Sequence, residues 1–314
     1  MAGHPHARSH GRPTTGKILF GSLALTVGFV LVEAIAGIRA HSMALLSDAG
    51  HNFTDALGLV LAGAGFYMQS RPGNEIKTFG YHRTGVLAAF VNALTLGLLS
   101  LVLFWESVDR LLHPQAVAEG TMLWVAATGL GVNLLIAWGL EGHGRDLNLR
   151  AAWLHMLGDA ASCAAIIAGA VVIRRTGWTF VDPALSILIA GMIVWTAWDI
   201  FRDSLNILLE GLPKGLTLVD VSCAIREVPG VIDVHDLHVW SLGSEAHALS
   251  CHVLIEDMPP SGSDSILRRI MGVLRERFEI DHSTVQFEHV PCALADAHCT
   301  ELPVGGERDV PHQH

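Results

Sequence analysis

The sequence predicts an α-helical membrane protein, six transmembrane helices followed by a small cytosolic α+β domain of order αββαβ. Three observations carry that prediction. Of 314 residues, 51% are hydrophobic and only 16% charged, too little polar material to cover a globule of this length. Apolar stretches of about 20 residues, the length needed to cross a bilayer, recur along the first two thirds of the chain. Beyond Gly211 the apolar runs shorten and charges become frequent. The mean hydropathy of +0.42 agrees with lipid exposure, and the net charge of −10 argues against a nucleic-acid binder. A soluble enzyme is not expected.

Taken in order, Met1 to Lys17 is polar and carries His4, His6 and His10. It has neither an apolar core nor a small-residue cleavage site, so a flexible cytosolic segment, 1–16, is expected rather than a signal peptide. Six spans follow, at 17–38, 42–68, 84–111, 121–140, 150–173 and 180–200. An even number places both termini on one side. Cytoplasmic flanks carry the excess of Lys and Arg. One side holds Arg8, Arg12, Lys17, Arg71, Lys77, Arg83, Arg145, Arg150, Arg202 and Lys214 against Arg39, Arg110, Arg174 and Arg175 on the other. Both termini are therefore expected in the cytosol, with a membrane domain over 17–211. Gly58, Ala62, Gly63 and Gly65 suit close helix packing.

Gly211, Pro213 and Gly215 mark the boundary to the soluble domain, 212–292. Its expected elements are a helix at 216–228, strands at 231–241 and 246–256, a helix at 263–279 and a strand at 283–290. About 80 residues give a modest core, which pairing with a second copy would stabilise. The tail, 293–314, is rich in Pro and Gly and expected to be disordered. Five cysteines at scattered spacing form no disulfide framework.

The strongest chemical signal lies in the second span, where Asp48, His51, Asn52 and Asp55 recur at offsets of three and four and so share one helical face. The fifth span repeats the device with His155 and Asp159. An intramembrane carboxylate costs about 2.5–3.5 kcal/mol, so Asp48, Asp55 and Asp159 would together cost roughly 8–10 kcal/mol uncompensated. Two imidazoles and two carboxylates make a tetrahedral zinc site with no position left for a catalytic water. The pair in the second span lies roughly 10–20 Å from its cytosolic end and the pair in the fifth roughly 8–14 Å, so they can meet at one level. The bland alternative is two unrelated interhelical clamps. Asp48 reads either as a proton or metal relay or as an interhelical hydrogen-bond partner. Asn52, Asn92 and Asn133 read as packing residues, and Glu33, Glu106, Asp182 and Asp199, near span ends, as snorkelling or capping groups.

The runs SMALLSDAGHNFTDALGLV, RPGNEIKTFGYHR, HMLGDAASC and VHDLHVWSL, in this order and spacing over residues 17 to 292, resemble the cation diffusion facilitator family of zinc, cadmium and cobalt efflux transporters. The resemblance implies a six-helix membrane domain, a metallochaperone-like, ferredoxin-like αββαβ domain, a homodimer, and export of divalent metal against inward proton flow. Carried over by position, it makes His51, Asp55, His155 and Asp159 the transport ligands, a set that goes with Zn²⁺, often Cd²⁺ or Co²⁺. A His-rich loop between the fourth and fifth spans, present in some relatives, is reduced here to His143. A metal-collecting role would then fall to His4, His6, His10, His312 and His314, which otherwise are simply solvated.

In the soluble domain, strict alternation puts His235 and His238 on opposite faces of their strand. In the next strand Leu249, Cys251, Val253 and Ile255 form an apolar face, leaving His252 on the other side. The resemblance matches His235 and His252 to positions that bind regulatory metal in related domains. His289 is the tentative third ligand, with Glu288 and Cys292 nearby and the strand's register open; Cys299 and His298 are further candidates.

Zinc ligands must be deprotonated, so binding releases protons, and imidazoles of ordinary pKa about 6.5 are natural carriers. The expected function is therefore a secondary antiporter working by alternating access, with zinc as cargo and regulatory ligand and no organic cofactor. A bacterial plasma membrane is expected from the short loops. The alternative is a membrane-bound zinc sensor or metal-binding protein without net transport. No HExxH supports an intramembrane hydrolase and no GxxxxGK[ST] supports ATP-driven pumping. A channel would prefer weak multi-site rings to one tight cage.

Overall fold

The computed structural model describes residues 13–140, 147–244 and 246–290, with side chains from 26 onward in the first helix and from 153 onward in the fifth. His4, His6, His10, His143, Cys292, His298, Cys299, His312 and His314 lie outside the described residues. Six long helices come first: α1 (Pro13–Ala40), α2 (Met43–Gln69), α3 (Arg83–Leu112), α4 (Glu119–Leu140), α5 (Leu147–Thr176) and α6 (Val181–Leu208). They are followed by α7 (Leu218–Arg226), β1 (Val231–Ser241), β2 (His247–Ile255), α8 (Pro260–Phe278) and β3 (Ile280–Glu288).

Helices dominate the first part because, without water, each backbone N–H and C=O must be satisfied within its own segment. Among the described residues, α3, α4, Trp153–Thr176 of α5 and α6 are long and apolar enough to cross a membrane. In α2, the polar set at 48–55 dilutes an otherwise apolar helix. Large apolar side chains point outward, among them Leu101, Val102 and Trp105 of α3, Trp124 and Trp138 of α4, and Trp195 of α6. Such outward faces suit lipid rather than water.

The chain forms two compact units, one holding residues up to 61 with 91–200, the other 62–90 with 201 onward. The core of the first unit includes Ala44 and Leu45 of α2, Met122 and Ala126 of α4, Ile166 and Ala170 of α5, and Ile189 and Ile193 of α6. Small residues set its spacing: a Cβ on Gly129 of α4 would stand 2.7 Å from Phe29 and 3.0 Å from the Cys163 sulfur. Asp182, at the start of α6, is fully buried. It accepts hydrogen bonds from the Ser42 hydroxyl at 2.5 Å and from the backbone N–H groups of Met43 at 2.6 Å and Ala44 at 3.2 Å. The expected cap is thus real, but it serves α2, whose first N–H groups have no partner in their own helix. Further along, the Ser47 and Ser107 hydroxyls both meet that of Ser186, at 2.5 and 2.7 Å. These contacts link α2, α3 and α6.

In the second unit the order αββαβ emerges as expected. Strands β1 and β2 pair antiparallel and β2 and β3 pair parallel, in the order β1-β2-β3. A parallel neighbour needs a crossover, and α8 supplies it. Ile266, Ile270, Leu274 and Phe278 form the buried stripe of α8, packing on Leu249, Cys251, Val253 and Ile255 of β2. The Cys251 thiol is pushed up to about 12 by this burial.

One expectation is corrected here. His235 and His238 do not lie on opposite faces of β1. Across the ladder His235 faces His252 and His238 faces Ser250, so three steps on β1 match two on β2. The extra residue is absorbed by a β-bulge with Asp236 at φ 50°. The bulge resets the alternation: Val234, Leu237 and Val239 go to the core, leaving His235 and His238 on the outer face.

Candidate metal centres

Each His-x-x-x-Asp pair sits one helical turn apart, so its two side chains project from the same face of their helix. The structure brings the two pairs together. His51 Nε2 lies 3.4 Å from Asp55 Oδ2 and 3.7 Å from Asp159 Oδ1. His155 Nε2 lies 3.3 Å from Asp55 Oδ2 and 3.7 Å from Asp159 Oδ2. The imidazole rings stand edge to face with centroids 6.0 Å apart. In tetrahedral zinc, bonds of 2.0–2.1 Å put neighbouring donors about 3.3 Å apart, close to the separations seen. Asp55 Oδ2 is buried and has no hydrogen-bond donor among the described residues. It lies within ion-pair distance of two imidazoles without hydrogen-bond geometry to either, an arrangement suited to a shared cation. Asp159 is 4% exposed.

Asp48 does not join the four. It is 1% exposed and accepts from the Cys163 thiol at 3.5 Å. Asn52 is buried and donates to Glu33 Oε2 at 3.4 Å. Glu33, expected to snorkel or cap, is instead 0% exposed, because its position on α1 turns it toward Asn52 of α2 rather than outward. Glu106 stays at the surface in an i,i+4 pair with Arg110, and Asp199 is exposed.

The second centre is on the outer face of the sheet. His235 of β1 and His252 of β2 are cross-strand partners with ring centroids 5.4 Å apart. Glu288, at the end of β3, completes a set whose ligand atoms all lie within 4.8 Å of one another. Glu288 Oε2 is 3.2 Å from His235 Nε2 and Oε1 is 3.0 Å from His252 Nδ1, yet both nitrogens lack hydrogen-bond geometry to any partner among the described residues. Asp236, lifted by the bulge, approaches His238 at 3.1 Å and His252 at 3.8 Å. His289 is not part of this set; it meets the backbone carbonyl of Glu256 at 3.2 Å. Among the described residues the group is completed by Glu288, one residue earlier.

Comparison with known proteins decides the family. Residues 19–209 match the family model described as the cation efflux transmembrane domain, and 213–290 match that of the cation efflux protein cytoplasmic domain. The chain belongs to the cation efflux family. Among its relatives is a protein of Escherichia coli named zinc transporter ZitB, 39% identical over 303 residues, covering 95% of this chain and 96% of that one. A Bacillus velezensis protein named cadmium, cobalt and zinc/H(+)-K(+) antiporter is 37% identical over 290 residues, 91% of this chain and 92% of the relative. A Cupriavidus metallidurans protein named metal cation efflux system protein CzcD is 38% identical over 297 residues, 94% and 93% of the two chains. As a cation efflux protein, the chain is a metal transporter with a helical membrane domain and a cytoplasmic domain.

Proposed function

We propose that this cation efflux protein exports Zn²⁺, with Cd²⁺ and Co²⁺ as further cargo, from the cytosol in exchange for protons. It works by alternating access around His51, Asp55, His155 and Asp159. The observation that supports this most is the meeting of two His-x-x-x-Asp pairs from α2 and α5 at N···O separations of 3.3 to 3.7 Å. The relatives' names agree with the choice of metals. Two nitrogens and two carboxylate oxygens bind zinc only when deprotonated, so cytosolic loading releases protons and protonation from the outer side displaces the metal. All four positions come from protein, leaving no open position of the kind hydrolytic zinc sites keep. Six transmembrane helices in a bacterial plasma membrane, both termini cytosolic, and a homodimer complete the reading.

His235, His252 and Glu288 hold a regulatory zinc in the same reading. The residues fit it: the buried His235 Nε2 and His252 Nδ1 have no hydrogen-bond partner among the described residues and face one carboxylate. Bound there, zinc would tie three strands of the sheet to one point.

Sealed liposomes with a zinc dye inside and an imposed pH gradient test the reading, comparing the native chain with His155→Ala. Zinc uptake that follows the gradient and vanishes in the variant is the expected result. Movement regardless of the gradient would favour a channel, and binding without movement a sensor.

A further inference from the structure

One buried cluster is not used by this mechanism. Glu33 of α1 and Asp48 of α2 are 0% and 1% exposed, and their carboxyl groups lie within hydrogen-bonding reach of each other. Asn52 donates to Glu33 Oε2 at 3.4 Å and Cys163 to Asp48 Oδ2 at 3.5 Å, while Asn133 stands 3.7 Å from the Cys163 sulfur. The other oxygens, Glu33 Oε1 and Asp48 Oδ1, are buried with no donor among the described residues. The titratable groups facing the pair are Asp159 and Cys163 from α5 and His51 from α2. Two acceptors cannot satisfy each other, and two adjacent carboxylates held away from water cannot both stay ionised at low cost. A single proton between them turns one into a donor and halves the charge.

We propose that Glu33 and Asp48 share one proton and form a proton-binding site, separate from the metal ligands, whose occupancy follows that of the metal. The inference rests on the reading of His51, Asp55, His155 and Asp159 as the transport site. A dication at the site adds positive charge near the pair, one O–H bond breaks, and the proton leaves to water as the pair becomes doubly ionised. When the metal departs outward, one proton returns from water and the O–H bond re-forms. No electron is transferred, and the single proton lost at the pair offsets one of the two positive charges that the dication brings to the site.

The test is the number of protons exchanged per zinc, read from the full chain in liposomes with the membrane potential clamped. At zero net flux, the slope of the logarithm of the zinc ratio against the pH difference gives that number. Glu33→Gln and Asp48→Asn are each expected to lower the slope by about one, and Glu33→Asp to keep the native slope. A purely structural role would slow the flux without moving the slope, because the slope is an equilibrium quantity. The native slope in either neutral variant overturns the proposal, and should one variant fail to fold, the other decides. Absence of any pH dependence in the native chain would instead sink the antiport reading and, with it, this one.

Discussion

Asp182→Ala tests the tie between α6 and α2. It removes one carboxylate that accepts three hydrogen bonds, from the Ser42 hydroxyl, Met43 N–H and Ala44 N–H, in a place closed to solvent. A hydrogen bond to a charged group contributes about 1.5–3 kcal/mol net, and a buried donor left unpaired costs about 1–3 kcal/mol. The Ser42 hydroxyl already accepts from Leu45 N at 3.2 Å and can turn, so the two backbone donors dominate. The sum is a loss of about 3–6 kcal/mol. Asp182→Asn keeps one acceptor oxygen and should lose about half as much. Reversible unfolding in mixed micelles by titrated denaturing detergent, followed by helical circular dichroism, measures both. A loss below about 0.5 kcal/mol for Asp182→Ala, the range of an unremarkable surface change, would refute the reasoning.

Three other outcomes are expected. Asp159→Ala abolishes zinc flux in liposomes while the chain still inserts, whereas Glu106→Gln, in an exposed pair with Arg110, stays near the native rate; full flux in Asp159→Ala removes the proposed transport site. With the transport site disabled by His155→Ala, calorimetry should show zinc affinity falling at least about tenfold in Glu288→Gln, on the scale of a lost charged ligand, and unchanged in His289→Ala; the reverse ranking would restore His289 as ligand. Cys251, raised from an ordinary value near 9.0 to about 12, stays a neutral thiol at pH 8, so peptide mapping after alkylation should find it unmodified while exposed Cys223 reacts. Because its native value is raised, its contribution to stability is complete below about 9 and declines as pH rises toward about 12.

How much was legible follows from where the constraint lies. Helix positions were readable because lipid forces any apolar run of that length into a helix, and the ends of α1 to α5 fall within a few residues of the expected spans. Only α6 runs well past its apolar stretch, to Leu208, since a helix need not stop where the membrane does. The meeting of His51 and Asp55 with His155 and Asp159 was readable from spacing and depth. Rotation about a helix axis was not: Glu33 was judged by its distance from a span end, which says nothing of the side it faces. The bulge was hidden because period-two counting presumes an unbroken ladder, and Asp236 is not the glycine that marks positive φ. Glu288 was weighed but not chosen, because β3 begins at Ile280, straight after Glu279 ends α8 in the left-handed conformation. The strand's register is set by pairing with β2, which its own residues do not announce.

The composition of the proposed transport cage bears on ions that are not its cargo. Mg²⁺ demands a near-ideal octahedron of oxygens and surrenders water reluctantly, and Ca²⁺ takes six to eight oxygens. The cage offers two nitrogens and the oxygens of two carboxylates, with each imidazole within 3.7 Å of both acids. Neither abundant ion could replace its hydration shell there, whereas a borderline ion content with four mixed donors could. If the four side chains act as proposed, rejection of the cell's commonest divalent cations would require no gate or narrow passage, because it would follow from the two side chains that each of α2 and α5 contributes.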